Sequence, residues 1–442
     1  MRSLIKLIQN TYKMIEHKGS SEGLHNVASL SGLQVVTYFF PLILLPYLFR
    51  IIGPEKFGLI AFAQAFVQYF MILTDYGFSV SATKEIALCV DRKIKISKVV
   101  AAVMTVKLTL AFLSLIIMSS IVYFVPKFRA DWMIYLLSFG TVLGGSLFPT
   151  WFFQGTERMN YIAKLNIVGE FAYAFCIVIF IRGPENFILV PVITSLVSLL
   201  TGLWGQYIIL SRFSVPFQLP DYPQVRRQLQ AGWNVFISVV AINAYTITRV
   251  FVVGLLTNNT TTGFYSIAEK IANAVQTFPL SSFSQAIFPR LSSIYRRNKN
   301  KALKIMQQVQ LITVIISLIF LPVIFVLAPW IVKLVCGADY PATILSLRFL
   351  LVSIFFISSN AFRVQFLLVC GRTDIYSKIH ITMALLGLPL IILFIYSFSY
   401  VGAAMATAII EAGVFTVTYF TVKKLSSTIT TNAAGPKHPS DR

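Results

Sequence analysis

Apolar runs of about twenty residues recur along the whole chain, separated by short loops in which lysine and arginine collect. A helix rises about 1.5 Å per residue and the hydrocarbon of a bilayer is about 30 Å thick, so each run is long enough to cross it. In that solvent every backbone N–H and C=O must be paired inside the protein, which restricts such a chain to bundled helices. Composition agrees: 57% of the 442 residues are hydrophobic and 12% charged, where a soluble domain carries about 25% charged residues. The chain is an all-α polytopic membrane protein by this reading.

We place twelve spans at roughly 27–49, 59–79, 99–125, 132–153, 163–181, 187–210, 231–256, 263–289, 305–328, 344–369, 379–400 and 401–421. Loop charge orients them. With both termini in the cytoplasm, inner segments hold 26 of the 37 Lys and Arg, outer loops hold 6, and five lie inside spans. That asymmetry follows the positive-inside rule, and an odd number of spans would scramble it. The net charge of +21 is therefore a matter of topology. No recognition motif accompanies it, and nucleic acid is not an expected partner.

Residues 1–26 form a basic cytoplasmic segment, expected to lie as an amphipathic helix on the membrane surface. The apolar run beginning near Val27 is too long for a signal peptide. Two six-helix bundles are expected, 27–210 and 231–421, joined by a 211–230 linker that contains Pro216, Pro220 and Pro223. The 422–442 tail, rich in Ser, Thr and Asn, reads as disordered. Cys89, Cys176, Cys336 and Cys370 are scattered, and His17, His25, His380 and His438 join no other ligand type, so neither a disulfide framework nor a metal site is implied.

An echo crosses the linker. Gly58-Leu-Ile-Ala-Phe-Ala-Gln64 opens the second span and Gly263-Phe-Tyr-Ser-Ile-Ala-Glu269 opens the eighth, while Gly32 and Gly232 stand early in the first and seventh. Six spans per half would make this a parallel repeat, an architecture that places its substrate between the halves. Chance likeness between two apolar helix starts remains the alternative.

The hairpin from Ala231 to Pro289 carries polarity where polarity is expensive. Asn234, Ser238, Tyr245, Thr248 and Arg249 share one face of its first arm; Ser266, Lys270, Asn273, Thr277, Ser281 and Ser284 share one face of its second, flanked by Glu269 and Gln276. Arg249 and Lys270 each sit about 10 Å below the same surface. Such a stripe avoids lipid by facing other helices or water, or its cations snorkel to the headgroups. Lys107 and Arg363 face the same choice, and Arg348 reads as an interfacial anchor. Glu170, Glu269 and Glu411 are candidate ion carriers, since a buried carboxyl holds its proton nearer neutrality, with a structural ion pair as the alternative.

From Tyr38 to Ala87 the chain reads YFFPLILLPYLFRIIGPEKFGLIAFAQAFVQYFMILTDYGFSVSATKEIA. This stretch resembles the polysaccharide flippases of bacterial O-antigen and capsule export, within the multidrug/oligosaccharidyl-lipid/polysaccharide exporter superfamily. Trp151-Phe-Phe-Gln-Gly-Thr-Glu-Arg158, Tyr265-Ser-Ile-Ala-Glu-Lys270 and Phe288-Pro-Arg290 are similar to the same family. The resemblance covers spans one to nine in sequence and the rest by topology. It implies two bundles around a cavity open alternately to either side. Its implied cargo is an undecaprenyl-pyrophosphate-linked sugar unit, moved across the bacterial inner membrane and driven by an ion gradient. Other polysaccharide-assembly proteins are possible partners.

The residues meet this expectation on their own terms, because cations with Asn, Gln and Thr in a cavity would replace the water lost by an anionic glycan. Arg249, Lys270, Lys107 and Arg363 are the candidate anion-binding residues; Asn234, Asn273, Gln276 and Thr277 are the candidate sugar-binding ones. No P-loop, H-E-x-x-H or nucleophile elbow is present, so neither an enzyme nor a cofactor is expected. The rival readings are a drug/cation antiporter, which would want acidic spans, a membrane glycosyltransferase or ligase, and a non-transporting scaffold.

Overall fold

The computed structural model describes the backbone of residues 21–89, 92–213, 218 and 220–433. Within these, the side chains of residues 21–40 and 278–290, and of scattered positions that include Asn234, Ser238 and Tyr245, lie outside the described residues. The architecture is all-helical, with no strand among the described residues. Eight helical stretches among them are long and apolar enough to cross a membrane. The polar-striped hairpin is not among the eight, and many of its side chains lie outside the described residues. Of the N-terminal amphipathic helix expected over residues 1–26, residues 1–20 lie outside the described residues and 21–26 are helical.

The chain divides into two compact units, Phe39–Ser266 and the residues from Ile267 on together with those before Phe39. The first unit opens within α1 (Ser21–Asp75), which breaks at Gly53. A φ of +77° there is a conformation only glycine adopts without cost, and Pro54 starts the next helical run with the φ that proline supplies. The chain breaks again at Asp75-Tyr76-Gly77, where Tyr76 and Gly77 have φ of 47° and 76°, before α2 (Phe78–Ala87). Then follow α3 (Lys93–Phe124), the short α4 (Pro126–Arg129), and a stretch expected as one span.

That stretch is three helices, α5 (Trp132–Ser138), α6 (Gly140–Leu147) and α7 (Thr150–Gly155). Pro149 and the glycines at 140, 144 and 145 weaken it as a continuous helix. The compensation is close packing on α9 (Leu189–Arg212), which follows α8 (Met159–Phe180). A Cβ at Gly144 would come within 2.4 Å of the Ser198 carbonyl carbon, and one at Gly202 within 2.6 Å of the Gly144 oxygen. Small residues let membrane helices approach to this distance and gain dispersion energy that apolar burial alone cannot supply in lipid.

Two aromatic clusters fill the unit. Phe78, Ala82 and Ile86 of α2 pack with Trp151, Phe152 and Phe153 of α7, all of them 0–1% exposed. The two family-like runs, DYGFSVSATKEIA and WFFQGTER, thus form one core, tied by a hydrogen bond from Thr83 Oγ1 to the Trp151 carbonyl. The other cluster holds Phe62, Phe66, Phe70, Phe128, Tyr135 and Phe139. Large apolar side chains such as Phe112, Phe175 and Leu200 point outward. On membrane-spanning helices that face is the lipid contact.

The first unit ends with α10 (Tyr222–Thr246), α11 (Thr248–Leu256) and the start of α12 (Asn259–Arg297). The second holds the rest of α12, then α13 (Lys299–Cys336), α14 (Pro341–Ser358), α15 (Ala361–Val369) and α16 (Thr373–Ala433). α16 breaks at Ser399, φ 53°, where sequence places the turn between the last two spans. A Cβ at Gly402 would stand 1.9 Å from the Phe394 oxygen, so the turn is as tight as main chain permits. The tail expected to be unstructured after Lys424 remains helical as far as Ala433. Hydroxyls of Ser426 and Ser427 return to the carbonyls of Lys423 and Lys424 there.

Candidate functional site

Inside the first unit, the arm made by α10 and α11 is fastened at both ends. Near its start, a Cβ at Gly232 would lie 2.8 Å from the Tyr76 oxygen. The Tyr76 ring stacks on Phe236 with centroids 4.9 Å apart. Tyr76 thus holds its left-handed conformation because both its carbonyl and its ring are packed against α10, an outlier stabilised by its surroundings.

At the other end the contact is main chain on main chain. A Cβ at Gly58 would sit 1.7 Å from the Asn259 oxygen, and a Cβ at Gly263 would sit 2.2 Å from the Pro54 oxygen. Each glycine faces the carbonyl four residues before the other. That reciprocity is what a local two-fold axis between two related hairpins produces, and the two glycines are the ones the sequence echo aligns. Lys127 closes the same end by donating to the carbonyls of Gly254, Leu255 and Thr257. A cation suits the negative end of α11, although burial pulls the Lys127 ammonium below its ordinary pKa.

Between these ends, Phe251 stacks on Phe62 and Phe66 at 5.4 and 5.8 Å. Tyr69 donates its hydroxyl to Thr248 Oγ1 at 2.9 Å. Thr248 is therefore buried in packing, whereas Arg249 beside it is half-buried. The side chain of Asn234, expected on the same face, lies outside the described residues.

In the second unit, α12 exposes part of its polar stripe. Lys270 and Asn273 are exposed, and Glu269, Gln276 and Thr277 are half-buried. Ile267, Ala268, Ile271 and Ala272 on the other side are 0–4% exposed. A lipid-facing helix shows the opposite arrangement, apolar out and polar in. Residues 270, 273 and 277 recur at helical spacing, but Ser266, expected on the same face, is 1% exposed, so the stripe is open only from Lys270 onward. Ser281 and Ser284 lie outside the described side chains.

The remaining candidates are placed differently. Lys107 is 3% exposed, with Nζ 3.9 Å from Asp75 Oδ1 and 3.3 Å from the Gly145 carbonyl. Its charge is compensated within the first unit, and Asp75 also accepts from Ser79 Oγ at 3.0 Å. Arg363 donates to the Ser359 carbonyl at 2.7 Å and lays its guanidinium over Phe415 and Tyr419 at 5.0 and 5.1 Å. Arg348 likewise sits over Phe325. Glu170 and Glu411 are half-buried. In a double-mutant cycle, Asp75→Asn and Lys107→Met should show a coupling of about 1–3 kcal/mol in thermal unfolding of purified protein; additive losses would mean that the two groups do not support each other.

Gln310 was not among the sequence candidates. It is 5% exposed, and its Nε2 donates to the Ser359 carbonyl at 2.6 Å, where α14 gives way to α15 within an expected span. An amide inside an apolar run that satisfies a broken helix is a recurring membrane device. The glutamine in such a run was the available signal, but its partner lies 49 residues away.

Comparison with known proteins places these features in a lineage. Residues 24–295 match the family model described as polysaccharide biosynthesis protein, more than half of the chain. The "Putative O-antigen transporter" of Escherichia coli (strain K12) is 30% identical over 381 residues, covering 86% of this chain and 92% of that protein. The protein of the same description from Shigella dysenteriae is 25% identical over 280 residues, covering 63% and 70%. Among solved structures, an inward-facing multidrug resistance MATE family transporter of the MOP superfamily aligns with TM-score 0.73 at 16% identity, covering 91% of this chain and 95% of that one. The lipid II flippase MurJ in an inward closed conformation aligns at 0.71 and 14%, covering 91% and 88%. The two structural likenesses establish the fold, and the sequence matches establish the lineage: this multi-span membrane protein belongs to the polysaccharide biosynthesis protein family.

Proposed function

We propose that the protein is a non-enzymatic flippase carrying undecaprenyl-pyrophosphate-linked oligosaccharide units from the inner to the outer leaflet of the bacterial inner membrane. The observation that carries this reading is the exposure of Lys270 and Asn273 on α12, with Thr277 half-buried beside them, on a helix whose apolar side is buried. In a bilayer such a face is stable against water, and a wet cationic face is what an anionic glycan needs to leave bulk solvent. The family relationship and the O-antigen transporters among its relatives supply the cargo class.

In this proposal twelve spans form two bundles, 27–210 and 231–421, with both termini cytoplasmic. Transport proceeds by alternating access. Arg249 and Lys270 hold the pyrophosphate or acidic sugars, while Asn234, Asn273, Gln276 and Thr277 hydrogen-bond the glycan. Lys107 and Arg363, each engaged by neighbours of its own unit, position helices around them. The reciprocal contact of Gly58 and Gly263 supports the repeat on which the two-bundle reading rests.

Purified protein reconstituted in liposomes with a fluorescent lipid-linked oligosaccharide tests the activity. Flipping that rises with an imposed proton or sodium gradient is expected, and its absence under every gradient would remove the transport reading. Ion coupling is tested separately. Glu269→Gln together with Glu411→Gln is expected to slow gradient-driven flipping at least tenfold, and unchanged rates would exclude both as essential carriers.

A further inference from the structure

At the end of the first unit where α10 begins, α2, the start of α3 and the first turns of α10 enclose a cavity of about 420 Å³. Lys95, Lys98 and Arg227 line it, with Glu85, Gln224 and Gln228. The carboxylate is already engaged: Arg227 lies 3.4 Å from Glu85 Oε1, and Gln228 Nε2 donates to Glu85 Oε2 at 2.6 Å. The described lining therefore keeps a positive balance, borne by the exposed ammonium groups of Lys95 and Lys98.

The two glutamines add a second, independent indication. Gln228 gives one amide N–H to Glu85, and Gln224 gives one to Asp221 Oδ2 at 3.3 Å. Both carbonyl oxygens, Gln228 Oε1 and Gln224 Oε1, are buried without a partner among the described residues. Gln228 is only 3% exposed, and a buried acceptor without a donor costs about 1–3 kcal/mol. Two cations call for an anion; two orphaned acceptors call for O–H donors beside it.

We propose that this cavity binds a phosphate group bearing neighbouring free hydroxyls. Lys95 and Lys98 take the phosphate oxygens, and Gln224 and Gln228 accept from the hydroxyls. The volume admits one phosphate with a glycerol or a single hexose. Two sources carry that chemistry at an inner-leaflet surface: the headgroup of a glycerol-bearing anionic phospholipid, and the sugar-phosphate end of a saccharide. The site does not depend on the transport reading, because binding is measured without flux.

The test uses purified full-length protein in neutral detergent, with short-chain phosphatidylglycerol, phosphatidic acid, phosphatidylcholine, glucose 1-phosphate and inorganic phosphate as titrants. Phosphatidylglycerol or glucose 1-phosphate should bind at least tenfold tighter than phosphatidylcholine and inorganic phosphate. Lys95→Gln with Lys98→Gln should lose that margin, and both side chains are exposed enough for the variant to fold. Gln224→Leu should leave phosphatidic acid binding unchanged and erase the preference for phosphatidylglycerol over it. Preference for the lipid assigns the headgroup as ligand, and preference for the sugar phosphate assigns the saccharide end. Equal affinity for all five titrants, or full affinity in the lysine double variant, would overturn the site.

Discussion

Replacing Arg249 and Lys270 together by alanine is expected to abolish surface polysaccharide while the protein stays in the membrane at near-normal abundance. A hydrogen bond to a charged partner contributes about 1.5–3 kcal/mol, so each substitution should weaken cargo binding roughly 10–100-fold and the pair more. Abundance should hold because Lys270 is exposed and Arg249 half-buried, so neither is a core packing residue. Lys270→Arg should retain most of the export, since charge matters here more than shape. The measurement is surface glycan in cells whose only copy is the variant, set against membrane immunoblots. Normal export in the double alanine variant would remove these two residues from the binding site.

The second large effect concerns the glycine contact. Valine at Gly58 has no place to put its side chain, since even a Cβ would overlap the Asn259 carbonyl. Overpacking of this kind costs about 1–3 kcal/mol where neighbours yield, and a backbone carbonyl in a helix yields little. Gly58→Val should therefore cost about 3 kcal/mol or more, read as a fallen Tm or a depleted membrane fraction, and Gly263→Val should match it. The double variant should be little worse than either alone, because both disrupt one shared contact. Gly145→Ala serves as the control: its Cβ would meet only the mobile end of Met71, at 3.3 Å. Full additivity of the two valines would mean that the glycines act in separate places.

What sequence could show, and what it could not, divides along a physical line. Breaks that fall between expected spans were legible: Gly53 lies between the first two, and Ser399 stands beside the boundary of the last two. Period and hydropathy were legible in part: Lys270 and Asn273 are exposed as their spacing implies, whereas Ser266 on the same expected face is buried. Pairings between distant residues were not. Lys107 and Arg363 looked alike in sequence, as cations a few residues into apolar runs, yet one is engaged by Asp75 and the other by Ser359, Phe415 and Tyr419. The three-way division of residues 132–155 was also missed. Hydropathy averages over Gly140 and Pro149, and only the matching small face of α9 explains why such a broken span is stable.

The contact between Gly58 and Gly263 bears on how such a molecule would move. Interlocked side chains must leave and re-enter rotamer wells when helices roll past one another, and each crossing adds to the barrier. Two peptide backbones meeting at hydrogen-only positions have no such teeth. If the proposed alternating access moves these hairpins, a bearing of that kind would let one pivot on the other with little friction, and aromatic pairs such as Tyr76 with Phe236 would be the latch to undo at the far end.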